Sequence, residues 1–325
     1  MRKRSIPGTA LTPSVICLGS SHFGDTISRE LAFELMDRFV DWGGTFLDTA
    51  KVYCDWVPGE RSRSEKIIGE WLSARGSRSE VVLATKGAHP ELESMQISRL
   101  SRADIQSDVE QSLRNLQTDY IDLYWLHRDD PERPVEDVIE TMNELVREGK
   151  IRYFGCSNWR SQRIEAAQQA AVRMGLQGFV ASQTKWSLAS YPPASDPTLV
   201  SMDAKELAYH RETGLTAIPY NAQASGFFSG RYRSEMLQEP TAANQKVWKM
   251  CSEDNLRKLR AVEALSEELD LSMTQVALGY LLSQPFPVFP ISGCKTVAQL
   301  DDSCAAGDVV LDRAALAALE GSAAR

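Results

Sequence analysis

The chain has 325 residues, of which 43% are hydrophobic and 25% charged, as is usual for a globular protein. Its 36 basic and 44 acidic residues give a formal net charge of −8, which argues against a nucleic acid as the main partner. No apolar run approaches the roughly 18 residues of a membrane helix, and none follows the basic residues 1–4. We therefore expect neither a membrane nor a secretory protein, and a cytoplasmic location is the default.

The cysteines and histidines give no sign of a metal site. The six cysteines include no Cys-x-x-Cys pair, and the four histidines form no His-Glu-x-x-His motif. A chain of this length does not need disulfide bonds for its stability. We expect scattered reduced thiols and no bound metal.

Short runs rich in Val, Ile, Leu and Phe recur along the chain, as is typical of strands buried on both faces. The predicted strands are residues 15–18, 45–47, 81–84, 121–126, 151–154, 179–181, 215–219 and 288–291. Stretches of helical period lie between them, at residues 28–41, 101–116, 135–148, 161–174, 203–212, 255–269 and 272–282. Strict alternation of strands and helices predicts a parallel sheet.

Two folds accommodate such a sheet: a closed (β/α)8 barrel and an open doubly wound sheet. Residues 19–24 read GSSHFG, so the Gly-x-Gly-x-x-Gly motif of a dinucleotide-binding open sheet is missing after the first strand. Eight units of about 40 residues without that motif favour one barrel domain over residues 1–325. Residues 5–12, centred on Pro7 and Gly8, predict a short hairpin below the barrel, and C-terminal helices complete the fold.

Polar residues at the predicted strand ends point to acid–base chemistry. Asp48 and Tyr53 follow the second strand, Lys86 ends the third and His127 ends the fourth. The active site of a barrel is built at this end of its strands. A lysine ammonium lowers the pKa of a neighbouring phenol, a carboxylate orients that lysine, and a histidine can hold a carbonyl oxygen. This set suits proton donation to a carbonyl that receives a hydride.

The chain resembles the aldo-keto reductases over about residues 15–306. The resemblance is carried, in chain order, by FLDTAKVY, VLATKG, DVEQSLRNLQTDYIDLYWLH, GKIRYFGCSNW, ASQTKWSL, GFFSGRY and ISGCKTVAQL. It implies a catalytic tetrad of Asp48, Tyr53, Lys86 and His127, with Tyr53 as the general acid. It also implies a nicotinamide dinucleotide bound across the barrel mouth without a Rossmann domain.

The residues that the resemblance assigns to the cofactor are Ser157, Asn158, Gln183, Tyr220, Asn221, Gln223, Ser225, Gly226, Ser292, Gly293, Lys295, Gln299 and Ser303. Residues 292–295 read SGCK, where the family usually has Pro, Gly, a small residue and Arg. Lys295 can still supply a positive charge to a 2′-phosphate. NADPH is therefore the expected cofactor, with NADH as the alternative.

The expected activity is the reduction of an aldehyde or ketone, such as a small polar or sugar-derived carbonyl compound. The expected partner is this small molecule, with no nucleic acid and no membrane, and the oligomeric state stays open. One alternative is a slow-turnover regulatory subunit of a membrane channel, a role that a branch of the family plays. Another is a barrel lyase that uses Lys86 as a Schiff base.

One histidine, three tryptophans and two long loops also follow the predicted strands. His89, beyond Lys86 in a Pro-containing loop, is expected at the surface, and the alternative is that it reaches the pocket. Trp56, Trp159 and Trp186 follow strand ends and suit either a substrate wall or packing. Residues 186–202 and 226–254 form long predicted loops, and the second is expected to fold over the cofactor.

Overall fold

A closed barrel of eight parallel strands forms the centre of the computed structural model, which describes residues 1–192, 196–237, 239–242 and 244–321. Neighbouring strands pair in the order β7-β6-β5-β4-β3-β2-β1-β8. The amide of Phe289, just before β8, donates to the Ala217 carbonyl of β7 at 2.9 Å and closes the sheet. The strands are β1 (Cys17–Gly19), β2 (Phe46–Asp48), β3 (Val82–Gly87), β4 (Ile121–Leu126), β5 (Ile151–Ser157), β6 (Ala181–Gln183), β7 (Thr216–Ala217) and β8 (Ile291–Ser292).

Helices surround this sheet, and the predicted (β/α)8 fold is confirmed. The helices are α1 (Arg29–Asp41), α2 (Arg63–Arg75), α3 (Arg102–Asn115), α4 (Val135–Arg147), α5 (Ser161–Met174), α6 (Ala204–Thr213), α7 (Gln245–Trp248), α8 (Glu253–Glu268), α9 (Met273–Leu282), α10 (Val297–Ala305) and α11 (Arg313–Glu320). Ser28 and Ser101 cap α1 and α3 by accepting a backbone N–H with their side chains, as their position in the sequence suggests.

The sequence analysis did not predict α2. This helix buries Ile68, Trp71 and Leu72 against the rest of the protein, and its start carries a Ser-x-x-Glu capping signal at Ser62 and Glu65 that the structure does not use as a cap. Its N-cap residue, Ser62, has a left-handed backbone (φ 58°), and its side chain caps nothing. Tertiary contacts rather than local sequence therefore decide where this helix begins.

The N-terminal hairpin closes one end of the barrel. The amide of Arg4 donates to Pro13 O and that of Ile6 to Leu11 O, both at 3.0 Å, and Gly8 makes the turn with φ 75°. Ile6 and Leu11 are buried against the barrel interior. The hairpin thus covers this end, and the cavity among the described residues lies at the carboxyl ends of the strands.

Trp125 fills the middle of the barrel because a glycine makes room for it. A Cβ atom on Gly155 of β5 would lie 2.5 Å from the Trp125 ring and 2.5 Å from the carbonyl oxygen of Ala181. The fully buried indole of Trp125 takes that space. Its ring nitrogen thereby reaches Asp48 at the end of β2.

One of the two long predicted loops contains a helix. Residues 226–254 include the short helix α7. In the other loop, residues 186–202, Pro193 lies outside the described residues.

Within the ranges given above, no helix combines the length and apolar character needed to cross a bilayer. In the same part of the chain, no three His, Cys, Asp or Glu side chains are grouped as metal ligands.

Candidate active site at the carboxyl ends of the strands

Lys86 lies at the centre of a buried polar cluster. It comes from β3, is 1% exposed and forms an ion pair with Asp48 at the end of β2. Its Nζ also donates to the Thr49 carbonyl at 2.7 Å and to the Tyr53 hydroxyl at 3.0 Å. Burial opposes the ammonium charge, but Asp48 and Tyr53 outweigh it and raise the pKa of Lys86. Asp48, Thr49 and Tyr53 together accept all three hydrogens of the Lys86 ammonium group.

The turn after β2 places Tyr53 against this lysine. The Tyr53 amide donates to Ala50 O, and the Lys51 amide donates to the Lys86 carbonyl, both at 3.0 Å. Burial raises the pKa of Tyr53, while the Lys86 charge acts to lower it. The Lys86 charge thus acts to lower the Tyr53 pKa, as expected, but burial has the larger effect. The phenol therefore stays protonated at neutral pH and can donate a proton.

Three side chains hold the carboxylate of Asp48. Its Oδ2 accepts from the Trp125 ring nitrogen and from the Gln183 amide, both at 3.1 Å, while Oδ1 contacts Lys86. Burial raises the pKa of Asp48, and Lys86 and these hydrogen bonds oppose that rise. The barrel interior thus fixes the carboxylate that orients the lysine.

His127 faces Tyr53 across the site, with ring centroids 6.0 Å apart. Its amide donates to Gly87 O at 2.9 Å, which ties the end of β4 to the end of β3. Among the described residues its buried Nδ1 has no hydrogen-bond partner. Burial, with Arg128 and other nearby cations, holds the pKa of His127 well below its usual range. The imidazole is therefore neutral and retains one N–H.

His89 is half-buried rather than fully at the surface. Its ring packs against that of His127 with centroids 4.8 Å apart, and its Nδ1 lies 2.6 Å from Pro90 O. Burial lowers the pKa of His89 to about 4. The loop after β3 folds back over β4, a long-range contact that the residue's place in a loop does not reveal.

A cavity of about 990 Å³ begins at Tyr53 and His127 and extends over the carboxyl ends of the strands to Lys295. Most residues expected at the cofactor line it. These are Ser157, Asn158, Gln183, Tyr220, Asn221, Gln223, Ser225, Gly226, Gly293, Lys295 and Gln299. Lys86 lies beneath its wall, since it is almost completely buried.

Two of the expected cofactor residues do not line the cavity. Ser292 and Ser303 are both completely buried. The Ser292 hydroxyl lies 3.5 Å from the sulfur of Cys294, and the Ser303 hydroxyl donates to Gln299 O at 2.8 Å. Ser303 also accepts from Gln223 at 2.9 Å, so it supports a residue that does line the cavity. A direct cofactor contact through these two serines stays a prediction.

The residues at the ends of β5 and β6 form one hydrogen-bonded group. The Ser157 hydroxyl donates to Gln183 O at 2.9 Å, and the Asn158 amide donates to Ser157 at 3.1 Å. Asn158 also accepts from the Tyr220 hydroxyl at 2.8 Å and from the Val200 amide at 3.1 Å. This group presents donors and acceptors of the kind that bind an amide, although Asn158 already uses most of its own within the protein.

After β7, the backbone turns repeatedly into the left-handed region. Asn221, Ala224, Ser225 and Gly226 have φ values of 57°, 51°, 54° and 84°. The Asn221 side chain holds this turn by accepting from the Ser225 amide at 3.0 Å. Turns of this kind direct backbone N–H groups to one side and suit an anion. The elongated cavity, the amide group and this turn together fit a dinucleotide.

The three tryptophans have different surroundings. Trp159 is fully buried and Trp186 is 5% exposed, so both serve packing. Trp56 is 47% exposed, and its ring centroid lies 6.4 Å from that of Tyr53. Only Trp56 stands where it could border a substrate.

Sequence reasoning missed two basic residues that line the cavity, Arg128 and Arg231. Arg128 directly follows His127 at the end of β4, and this position was the signal that could have identified it. Arg231 lies within the GFFSGRY stretch that carries the family resemblance, and this was the signal that could have identified it.

Comparison with known proteins assigns this arrangement to a family. The model of the aldo/keto reductase family matches residues 15–324. The chain belongs to the aldo/keto reductase family. It is therefore an enzyme, a nicotinamide-dependent oxidoreductase.

Curated relatives cover nearly all of this family member. It is 32% identical to an uncharacterized oxidoreductase, YrpG, of Bacillus subtilis (strain 168), over 94% of this chain and 90% of the relative. It is 32% identical to norsolorinic acid reductase stcV of Emericella nidulans, over 91% of this chain and 74% of that protein. It is 31% identical to an aryl-alcohol dehydrogenase [NADP(+)] of Phanerodontia chrysosporium, over 94% and 81%.

Proposed function

We propose that this reductase converts an aldehyde or ketone into the alcohol, with NADPH as reductant and Tyr53 as proton donor, in one barrel domain over residues 1–325. The observation that carries the proposal is the 3.0 Å hydrogen bond from the buried Lys86 ammonium to a Tyr53 hydroxyl at the head of the cavity. A phenol beside a fixed positive charge can release its proton into the transition state, since the charge stabilises the phenolate that forms.

The other two members of the tetrad have separate tasks. The neutral His127 imidazole would hold the carbonyl oxygen through its remaining N–H and so make the carbonyl carbon more electrophilic. Asp48, held by Trp125 and Gln183, would keep Lys86 charged and in place while Tyr53 loses its proton. The proton moves from the Tyr53 hydroxyl to the carbonyl oxygen, which becomes the alcohol.

The dinucleotide, when bound, supplies the hydride. Tyr220 would lie against its nicotinamide ring, with Ser157, Asn158 and Gln183 near the carboxamide. Residues 221–226 would face the pyrophosphate, and Lys295 would meet a 2′-phosphate. The exposed positive charge of Lys295 and the NADP(+) in the name of one relative favour NADPH over NADH.

A cytoplasmic location and small-molecule partners belong to the same proposal. All six cysteines are unpaired, which agrees with a reducing compartment. The cavity is shaped for small molecules, and the net charge of −8 disfavours nucleic acid.

The buried state of Lys86 argues against the Schiff-base alternative. A Schiff base needs an unprotonated amine that can reach a substrate. Lys86 instead has a raised pKa, uses its hydrogens on Asp48, Thr49 and Tyr53, and lies beneath the cavity wall.

The test is an NADPH-oxidation assay over a panel of aromatic aldehydes, aliphatic ketones and sugar-derived carbonyl compounds, with NADH as the control cofactor. We expect turnover of at least one class, with alcohol formed in equal amount to NADPH consumed. Absence of turnover across the panel would refute the proposal. Tight NADPH binding with very slow turnover throughout would instead favour the channel-subunit alternative.

A further inference from the structure

Arg128 is a basic residue at the reacting end of the cavity for which the proposed mechanism has no use. It follows His127 at the end of β4, its side chain is only 13% exposed, and it lines the cavity together with Tyr53 and Tyr220. Arginine is rarely buried to this degree without a paired anion.

One edge of the Arg128 guanidinium is left without a complete partner. Nη1 donates to the His127 carbonyl at 3.0 Å. Among the described residues, the buried Nε has no hydrogen-bond partner, and the nearest carboxylate oxygen to Nη2 is that of Asp196 at 4.0 Å. That distance is too long for a hydrogen bond.

Two other arginines of this chain show what the same edge does when it is paired. Arg75 donates from Nε and Nη2 to Asp37 at 2.9 and 2.7 Å, and Arg38 donates to Asp301 at 2.7 and 3.2 Å. These side chains are 46% and 43% exposed. The more buried Arg128 thus lacks the two-pronged carboxylate that the exposed arginines have, although desolvation makes that pairing more valuable to it.

Asp196 is a poor substitute for such a partner. Its Oδ1 already accepts from the amide and the hydroxyl of Thr198, at 2.9 and 2.6 Å, and its side chain is 33% exposed. Other nearby titratable groups do not neutralise the Arg128 charge. The Asp48 carboxylate is paired with Lys86. His127 and His89 are neutral, because burial lowers their pKa values.

We propose that Arg128 is a specificity-determining residue that binds a carboxylate group of the carbonyl substrate. The preferred substrates are therefore aldehydes or ketones that carry a carboxylate, which pairs with the guanidinium charge where Arg128 lines the cavity, while Tyr53 and His127 take the carbonyl oxygen. This inference rests on the proposed carbonyl reduction. Before a substrate binds, the Asp196 carboxylate lies 4.0 Å from Nη2.

A matched pair of substrates tests the proposal: 4-carboxybenzaldehyde and its neutral methyl ester, methyl 4-formylbenzoate. We expect the wild-type enzyme to prefer the acid in kcat/KM, mainly through KM. Arg128→Met should lower kcat/KM for the acid by about 10- to 100-fold, the effect of losing a charged hydrogen-bonded pair, and should change that for the ester by less than about threefold. Arg128→Lys should retain part of the preference, because it keeps the charge without the fork.

Asp196→Asn is the opposing variant. It removes the competing carboxylate, so the preference for the acid should increase while the kinetics with the ester stay unchanged. Thermal melting and the Kd for NADPH, measured for each variant, separate this role from a structural one. We expect both to stay close to the wild-type values.

Three results would overturn the assignment while leaving carbonyl reduction intact: equal kcat/KM for acid and ester in the wild type, equal losses for both in Arg128→Met, or a loss that follows NADPH affinity. If neither these aldehydes nor any other compound of the carbonyl panel is reduced, the proposed function fails instead, and calorimetry decides the carboxylate site. Binding of benzoate but not benzamide, abolished in Arg128→Met, would support the site. Equal binding of both compounds, or none, would refute it.

Discussion

The two ends of the cavity are built in different ways. At the reacting end, Asp48, Lys86 and His127 stand on adjacent strands and are almost completely buried. At the far end, Lys295 and Gln299 are exposed side chains at the start of α10. The loop after β7 lines the same part of the cavity. The first end is held by strand pairing and ion pairs, and the second by local turns and single hydrogen bonds.

This difference indicates how each end can change. A substitution at the reacting end removes a partner from a group that has no access to water, and the cost is large. A substitution at the far end affects groups that water can solvate, so the cost is small.

Tyr53→Phe should lower kcat by about 1,000-fold, because it removes the general acid while keeping the ring. The Kd for NADPH should change little, since the hydroxyl faces Lys86 rather than the far end of the cavity. Steady-state kinetics and fluorescence titration measure the two quantities. A variant with wild-type turnover would exclude Tyr53 as the proton donor.

Asp48→Asn should destabilise the fold by about 3 kcal/mol, because it leaves the Lys86 ammonium buried without its carboxylate. Urea unfolding measures this loss. Asp41→Asn, at an exposed carboxylate, serves as the control and should leave the free energy of unfolding within about 0.5 kcal/mol. Equal stability of the two variants would contradict the idea that the reacting end depends on this ion pair.

His89 should make the fold less stable in acid. Its pKa is about 4 in the folded protein against 6.5 as the ordinary value, so between these pH values the unfolded chain binds the proton more readily. Above pH 6.5 His89 is neutral in both states and the free energy of unfolding is unaffected by its titration. As the pH falls from 6.5 to about 4, this titration lowers the free energy of unfolding by up to about 3 kcal/mol.

Measuring the free energy of unfolding over this pH range should give a shallower acid loss for His89→Gln than for the wild type. His22→Gln, at a side chain that is 44% exposed, is the control and should retain the wild-type slope. Parallel curves for all three proteins would show that the contact of His89 with His127 does not hold it neutral.

Lys295→Met should have the smallest effect. Loss of one exposed positive charge should weaken NADPH binding about three- to fivefold and leave NADH binding and saturated kcat unchanged. Titration with both dinucleotides gives the ratio. Equal weakening for NADPH and NADH would remove Lys295 from the 2′-phosphate and indicate a general role in the loop.

The fold was predictable because its signals are local. Buried strands are continuous apolar runs, and Ser28 and Ser101 mark helix starts within a few residues. Helix α2 was missed although Ser62 and Glu65 carry a capping signal and Ile68, Trp71 and Leu72 recur at helical spacing. The partial burial of His89 was not predicted because its partner, His127, lies on another strand.

Residue periodicity and spacing along the chain were enough to predict the eight strands and to place Asp48, Tyr53, Lys86 and His127 at strand ends. Contacts between distant segments set which polar groups are paired and which are left over. They buried Ser292 and Ser303, gave Asp48 the indole of Trp125, and left the Arg128 Nε without a hydrogen-bond partner among the residues that the structure describes. Those outcomes depend on distances between segments far apart in the chain, which barrel closure sets.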